Sequence, residues 1–444
     1  MSTSQDLLDR ARAVAEAARQ RGAQGARVSV RRSRKGEVEW RDGKLDRLRE
    51  ATEVSLGITL FVDGRYSANS TSDLRPEAVA RLLDETTAAT RLLAPDAHRK
   101  LAPPARYAGR FAGELGIWDE AGAAATSGAE RRRLAQALEQ AARSGPEAAE
   151  IISVTAGAGD EAAEAAMVCS NGMEGTVRSS SFSLWAETTV RDRGDRKPEG
   201  WWQAVTRERG KLPGVEQVGR EATRRALADR GAKPEKSGKY PCVIEAFVAG
   251  RLLGDLLGPL GGQAIQQKRS FLADKLGKKI AGEALTITDD PWLVGGLGSR
   301  PYDPEGMSTQ RRPLVERGVL RSFLLDTYYA SKLGQEPTTG ATTNLVFASG
   351  KRDLAALLAA MGKGILVTGF SGGNANAATG DFSIGIRGQW IEGGKPVRAL
   401  AEMNLAGNHL DLWSRLLEPG ADPYPYAALR CPSLRFGPVQ FSGS

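Results

Sequence analysis

The chain has 444 residues, 41% of them hydrophobic and 26% charged, with a formal net charge of +8. That length exceeds one ordinary core and predicts two or three domains; the balanced composition excludes a disordered or fibrous chain, and no apolar run reaches the roughly 20 residues that a membrane helix needs. The 61 Lys and Arg are interspersed with 53 Asp and Glu, so the net charge reads as solvated surface rather than a nucleic-acid footprint.

The N-terminus, Met1 to Leu8, has no basic segment leading into an apolar core and is not expected to be a signal peptide. Leu7, Ala11, Val14 and Ala18 recur at helical spacing and predict an amphipathic helix over 5–21, with Ser2 and Gln5 as a capping box. Val28–Val30, Glu37–Trp40 and Glu53–Val62 carry strand patterns. Asp63-Gly64 marks a tight turn into a returning strand, Arg65–Thr71, and Pro76 opens a helix to about Leu93. Arg31-Arg32-Ser33-Arg34-Lys35 reads as a strand end running into a loop. Residues 94–107, with Pro95, Pro103 and Pro104, read as a linker.

A second unit repeats this composition over 108–228. Ser127-x-x-Glu130 starts a helix to Ala142, on which Arg131-Arg132-Arg133 reads as an exposed face. Strands follow at Ala149–Thr155, Ala166–Ser170 and Gly175–Val190, with Asn171-Gly172 as a hairpin, and then a helix at Val215–Ala228. The polar tract 229–240 is the expected boundary to a C-terminal domain, 241–444. There, short strands such as Leu285–Thr288, Leu314–Gly318, Gly364–Thr368 and Gly388–Ile391 alternate with glycine turns. They predict a barrel-like sheet with helices near 245–257, 320–333 and 354–361. The fold class is α+β: an N-terminal helix-plus-antiparallel-sheet region followed by a β-rich, barrel-like domain with embedded helices.

Few residues offer chemistry. The only histidines are His98, in the proline-rich linker, and His409, beside an apolar run. No His-Glu-x-x-His run exists, so the zinc-on-one-helix arrangement has no local basis. The three cysteines, Cys169, Cys242 and Cys431, are odd in number and lack metal spacing, which fits a reducing cytoplasm. Gly250, Gly254 and Gly258 share one helical face and suggest close backbone approach to another element, since each glycine costs about 1 kcal/mol in a helix. The loop Phe370–Asp381 is polar and glycine-rich but is no P-loop; Gly372, Gly373, Asn374, Asn376 and Asp381 are candidate contacts for an extended peptide. Tyr328 and Tyr329 fall on an expected helix, and Trp390 and Trp413 are candidate exposed interface residues.

From Val243 to Gly443 the chain resembles the TldD/PmbA, or modulator-of-gyrase, family. The resemblance rests on Lys268–Gly277, Leu285–Asp290, Tyr302–Gly306, Val315–Leu320, Leu325–Gly334, Thr379–Ser383, Gly388–Gly394 and Ala406–Asn408. Phe61–Arg65 and Ser70–Leu74 extend it to the N-terminal half. The family pairs a zinc metallopeptidase branch, bearing His-Glu-x-x-x-His and a distant Cys ligand, with a TldE/PmbA branch that lacks the histidines. On that pattern the histidine positions fall on Ala249 and Gly254, the glutamate on Gly250 and the cysteine near Cys431. The resemblance therefore implies a non-catalytic, cytoplasmic subunit without its own metal. A TldD-like partner would hold the zinc, and the pair would cleave unfolded peptides or process peptide precursors. The alternatives are a self-sufficient hydrolase using Cys431 as nucleophile, or a nucleic-acid or gyrase-associated binder.

Overall fold

The computed structural model describes residues 4–443; Ser2 of the expected capping box lies outside them. The N-terminal half is one six-stranded antiparallel sheet covered on one face by helices. Helix α1 (Ser4–Gln20) leads into β1 (Gly25–Arg41), β2 (Lys44–Val62), β3 (Arg65–Thr71) and α2 (Pro76–Thr90). After the linker come α3 (Glu120–Ala125), α4 (Gly128–Arg143), β4 (Ile151–Cys169), β5 (Met173–Val190), β6 (Glu199–Thr206) and α5 (Val215–Ala228). The strand order β3-β2-β1-β4-β5-β6 joins the two expected N-terminal units through an antiparallel β1–β4 ladder, from Arg27↔Cys169 to Arg41↔Thr155.

Period-two burial explains the layering. Val28 and Val30 of β1, Leu56, Ile58, Leu60 and Val62 of β2, and Ala166 and Val168 of β4 are buried against Leu7, Ala11 and Val14 of α1 and Val79 and Leu83 of α2. Further along the same face, Ala156, Ala158, Leu184, Ala186 and Ala204 meet Leu138 of α4 and Val218 and Ala222 of α5. The Asp63-Gly64 turn has φ of 51° and 72°, the two left-handed residues of a hairpin whose twist matches its strands.

Two expected strands, Ala149–Thr155 and Ala166–Ser170, are one strand, β4. Its middle, Ala156 to Ala165, is Ala, Gly, Asp and Glu, poor strand formers in isolation, but it is hydrogen-bonded on both sides by β1 and β5. The basic run at 31–35 lies in mid-strand rather than at a strand end, and faces acids of β4: Arg31–Glu161 at 2.5 Å, Arg32–Glu164 at 3.0 Å and Arg34–Asp160 at 3.3 Å. Arg131 is not on an exposed face. It is 2% exposed and bonds Asp160 at 2.5 Å and Glu50 at 2.6 Å, filling space left by Gly36, where a Cβ would meet its guanidinium at 2.0 Å.

The C-terminal half begins with β7 (Gly238–Ile244), α6 (Ala246–Leu257) and α7 (Gly262–Gln266). A second sheet follows, begun by β8 (Ile287–Asp290), β9 (Arg312–Glu316) and β10 (Val319–Leu320) and completed by two later strands, Asn344–Phe347 and Leu429–Arg430. Next come α8 (Thr327–Leu333), β11 (Asn344–Phe347), α9 (Leu354–Met361), β12 (Gly364–Ala375), β13 (Asp381–Glu392) and β14 (Lys395–Asn408). The chain ends with α10 (His409–Ser414), β15 (Leu416–Pro419), β16 (Leu429–Arg430) and β17 (Leu434–Ser442). The order β14-β13-β12-β7-β17 closes on itself through β14–β17 pairing at Asn404↔Ser442 and Leu405↔Phe441, forming a five-strand barrel. Closure removes the open edges that these strands would otherwise expose.

Two further expectations are corrected. The helix expected over 320–333 is only Thr327–Leu333, because Leu320 is claimed by the β9–β10 hairpin. Trp390 and Trp413 are buried, at 7% and 0% exposure; Trp413 packs on Phe436 and Trp390 on Tyr240, so neither is an interface residue on the surface.

Candidate functional site

The face of α6 that carries Gly250, Gly254 and Gly258 is open. A Cβ on Gly254 or Gly258 would meet nothing within 4 Å, and one on Gly250 only Leu429 Cδ2 at 3.6 Å. The expected close approach is absent; these glycines leave a bare helix surface. Ala249, by contrast, is fully buried in the barrel core with Leu252, Leu253 and Leu256. Cys431 is buried, its Sγ 3.5 Å from the Pro432 carbonyl oxygen, and burial pushes its thiol well above the ordinary value. Such a thiol supplies no thiolate for attack. Among the described residues, no group of three or more His, Cys, Asp or Glu could hold a metal ion. Along this stretch of α6, Gly250 and Gly254 carry no side chain and Ala249 carries a buried methyl.

Neither histidine serves an evident centre. His98 Nδ1 lies 3.0 Å from Ser331 Oγ, and in the same strap Asp96 accepts from the Tyr328 hydroxyl at 3.0 Å and Arg99 lies 3.4 Å over the Tyr328 ring. These contacts fasten the linker to α8. His409 is 1% exposed between Phe271 and Phe382, and burial lowers its pKa to about 4, so the ring is neutral at physiological pH.

A cleft of about 480 Å³ opens beside the first turns of α6, where the N-terminal layer meets the barrel wall. Its floor is built from β12 and β13, with Thr368, Gly369, Phe370, Arg387 and Gln389. One wall is the edge strand β6 and α5; another is Glu245, Phe247, Val248 and Arg251. Gly200 of β6 lets α5 pack directly on that strand: a Cβ there would meet Ala226 N at 2.2 Å and Ala222 O at 2.4 Å. Across the seam, Arg387 donates to the Glu199 carbonyl at 2.7 Å and Gln389 to the Ala228 carbonyl at 2.6 Å. The Tyr424 hydroxyl donates to the Gln203 carbonyl. Strand alternation places the outward N–H and C=O of Trp201 between those two capped carbonyls.

The cleft is amphipathic. Trp201 is 43% exposed and stacks at a tilt on Phe247, 4.9 Å between centroids. Arg225 lies 4.4 Å over Phe247 and forms a bidentate pair with Glu245, at 2.9 and 2.7 Å. Asp229 is pushed up to about 6 by burial, with Arg387 and Arg225 acting against that shift. Concavity, an exposed indole and a few fixed charges define a binding cleft. No nucleophile with an adjacent base lies among the residues that line it.

The glycine-rich hairpin continues from the same strand. Gly372 offers its carbonyl to Arg251 at 3.4 Å, and the tip is exposed. Asn376 accepts from Ala378 N at 2.9 Å and Asp381 accepts from Asn408 Nδ2 at 2.9 Å, so both side chains are engaged within the turn. Asn374 pairs with Ser383 in the ladder, and Gly373 sits in its bulge at φ 93°. Of the five candidate peptide contacts, only Gly372 touches a residue that lines the cleft. Trp201, Phe247, Asp229 and Arg387 were missed as site residues. The adjacent pair Trp201-Trp202 in an otherwise polar stretch was the available signal.

A one-sided antiparallel sheet docked on a closed five-strand barrel is the architecture of a known metallopeptidase class. Three family models match in order: PmbA/TldA metallopeptidase domain 1 at residues 26–90, the central domain at 123–230 and the C-terminal domain at 237–443. The metalloprotease PmbA of Escherichia coli O157:H7 is 30% identical over 423 residues, covering 94% of this chain and 92% of that protein. A PmbA homolog of Haemophilus influenzae is 28% identical over 90% of this chain and 88% of its own length. A crystal structure from Bacteroides thetaiotaomicron, described as a candidate modulator of DNA gyrase, superposes with a TM-score of 0.95 at 39% identity over all of both chains. TldE from Thermococcus kodakarensis shares the fold, with a TM-score of 0.84 at 20% identity over 98% of this chain and all of that one. The chain belongs to the PmbA/TldD metallopeptidase family.

Proposed function

We propose that this chain is the non-catalytic, TldE-like subunit of a two-subunit cytoplasmic metallopeptidase, and that it binds peptide in the cleft beside α6. The observation that supports this reading is the bare helix face at Gly250 and Gly254, next to the buried Ala249 and beside a partly aromatic cleft; on the resemblance these three residues stand at the family's Glu and two His positions. A TldD-like partner holds the zinc and its glutamate base; this chain completes the chamber and limits access to extended peptide. The buried, protonated Cys431 gives no support to a cysteine hydrolase. The ion pairs of Arg31, Arg32, Arg131 and Arg133 in the two basic runs give none to a nucleic-acid surface.

Partner association is supported by the outer edge of β2. Strand β3 pairs only with Leu56–Val62, so residues 44–55 present an unpaired edge, with Leu45 and Leu48 exposed at 41% and 53%. Open edges of this kind template strand pairing between chains. The test is to co-express the chain with a TldD-like neighbour, separate the subunits, and measure zinc and peptidase activity in each and in the mixture. Activity confined to the mixture, with zinc on the partner, is the expected result. Stoichiometric zinc or peptidase activity in this chain alone refutes the reading.

A further inference from the structure

Four arginines, Arg224, Arg225, Arg251 and Arg387, and three carboxylates, Glu199, Asp229 and Glu245, line the cleft. Two of its guanidinium groups are held by carboxylates: Arg225 by Glu245, with its buried Nε 2.9 Å from Glu221 but making no hydrogen bond, and Arg224 by Glu221 in a bidentate pair at 2.7 Å. The other two have no such bidentate carboxylate partner. Arg387 gives one N–H to the Glu199 carbonyl, stands 3.6 Å from Asp229, and keeps a buried Nε with no acceptor. Arg251 reaches Asp255 only at 3.8 Å and the Gly372 carbonyl only at 3.4 Å. Arg387 lies against Gly369 of β12, where a Cβ would meet its Nε at 3.1 Å, and Arg251 lies against Gly372, three residues on. Both sites are places where the strand lacks a side chain; Arg387 lies along the floor, and Arg251, on α6, reaches over from the wall at the mouth. A buried guanidinium N–H without an acceptor is costly, and a planar fork with spare donors is matched by a carboxylate. The exposed indole of Trp201 with Phe247 and Phe370 supplies an apolar surface beside these charges.

We propose that the cleft selects acidic peptides: a ligand carboxylate bonds Arg387 at the inner position, Arg251 guides it at the mouth, and a neighbouring apolar side chain lies on Trp201 and Phe247. This rests on the peptide-binding reading above and names the class of peptide. Asp229 and Glu245 face the same space. Glu245 is neutralised by Arg225, and Asp229 is the group that a ligand carboxylate displaces from the vicinity of Arg387.

The test uses the full chain and two fluorescein-labelled hexapeptides of Leu, Phe and Gly, identical except for a central Glu or Gln, in fluorescence anisotropy at 50 mM and 300 mM salt. The expected result is a preference of tenfold or more for the Glu peptide at low salt, shrinking at high salt. In Arg387→Gln the preference falls to about one. Arg251→Gln, which removes only long contacts and keeps the fold intact, reduces it severalfold. Equal binding of both peptides by the unmodified chain overturns the acidic selectivity while leaving the peptide cleft standing. A preference unchanged in both variants overturns the assignment to these residues. Binding of neither peptide overturns this inference together with the cleft reading beneath it.

Discussion

Filling the bare face of α6 should stabilise the chain. Gly254→Ala places a methyl where nothing lies within 4 Å, and Gly250→Ala places one in ordinary contact with Leu429 Cδ2 at 3.6 Å. Both positions are interior to the helix Ala246–Leu257. Neither glycine has a positive φ, so alanine fits the existing backbone. The gain is the intrinsic preference for alanine over glycine in a helix, about 1 kcal/mol each, and about 2 kcal/mol together if the sites act independently. For a cooperative unit of about 200 residues, each kcal/mol raises the melting temperature by about 2–4 °C. Calorimetry and urea unfolding at unchanged m-value measure it. The control is Gly200→Ala, which drives a methyl into the α5 backbone and should cost about 1–3 kcal/mol or more by overpacking. A Gly254→Ala protein less stable than the parent by 1 kcal/mol would mean that the face is covered, and the bare-helix argument would fail.

Asp229 titrates near 6 in the fold against an ordinary 3.8, so the folded chain holds an extra proton between about pH 4 and 6. Stability contributed by this residue therefore falls as pH rises through that window, by at most about 3 kcal/mol; Asp229→Asn should flatten that slope in pH-resolved denaturation, and an unchanged slope counts against it. Cys431 should resist alkylation by iodoacetamide in the native chain and react on unfolding; rapid native labelling at this site by mass spectrometry contradicts its burial. Leu45→Lys with Leu48→Lys should weaken association with the TldD-like partner by at least tenfold while leaving the melting temperature within about 2 °C, because both side chains are exposed; equal partner affinity in gel filtration dismisses the β2 edge as the interface. Introducing the family motif through Ala249→His, Gly250→Glu and Gly254→His should give a destabilised chain without peptidase activity, since the Ala249 site is fully buried and has no space for an imidazole; robust zinc-dependent cleavage by that variant alone refutes it.

Elements with strong local patterns were legible in the sequence. The bounds of α5, α9 and β3 are those that periodicity, turn residues and Asp63-Gly64 indicate. The middle of β4 was not, because Ala156–Ala165 owes its strand form to ladders with β1 and β5 rather than to its own side chains. The glycine face of α6 was legible as a pattern but not in meaning: spacing shows that three glycines share a side, and only the surrounding chain shows that the side is empty. Arg131 was misread for a similar reason, since its partners Glu50 and Asp160 lie 81 and 29 residues away. The cleft draws on residues from 199 to 396, and no local window contains both Trp201 and Arg387.

The β1–β4 ladder also fixes an order of events during synthesis. Strand β1 is complete at Arg41, yet one of its two neighbours ends at Cys169, and Ala166 and Val168 of that neighbour belong to the core formed with α1 and α2. At about 5–20 residues per second, the ribosome needs roughly 6–25 seconds to extend the chain from Arg41 to Cys169. Throughout that interval the nascent N-terminal hairpin keeps a full-length edge and part of its apolar face without a partner. Until the second half of its sheet emerges, that edge is open to pairing with another chain, and a pause between residues 71 and 151 would prolong the exposure.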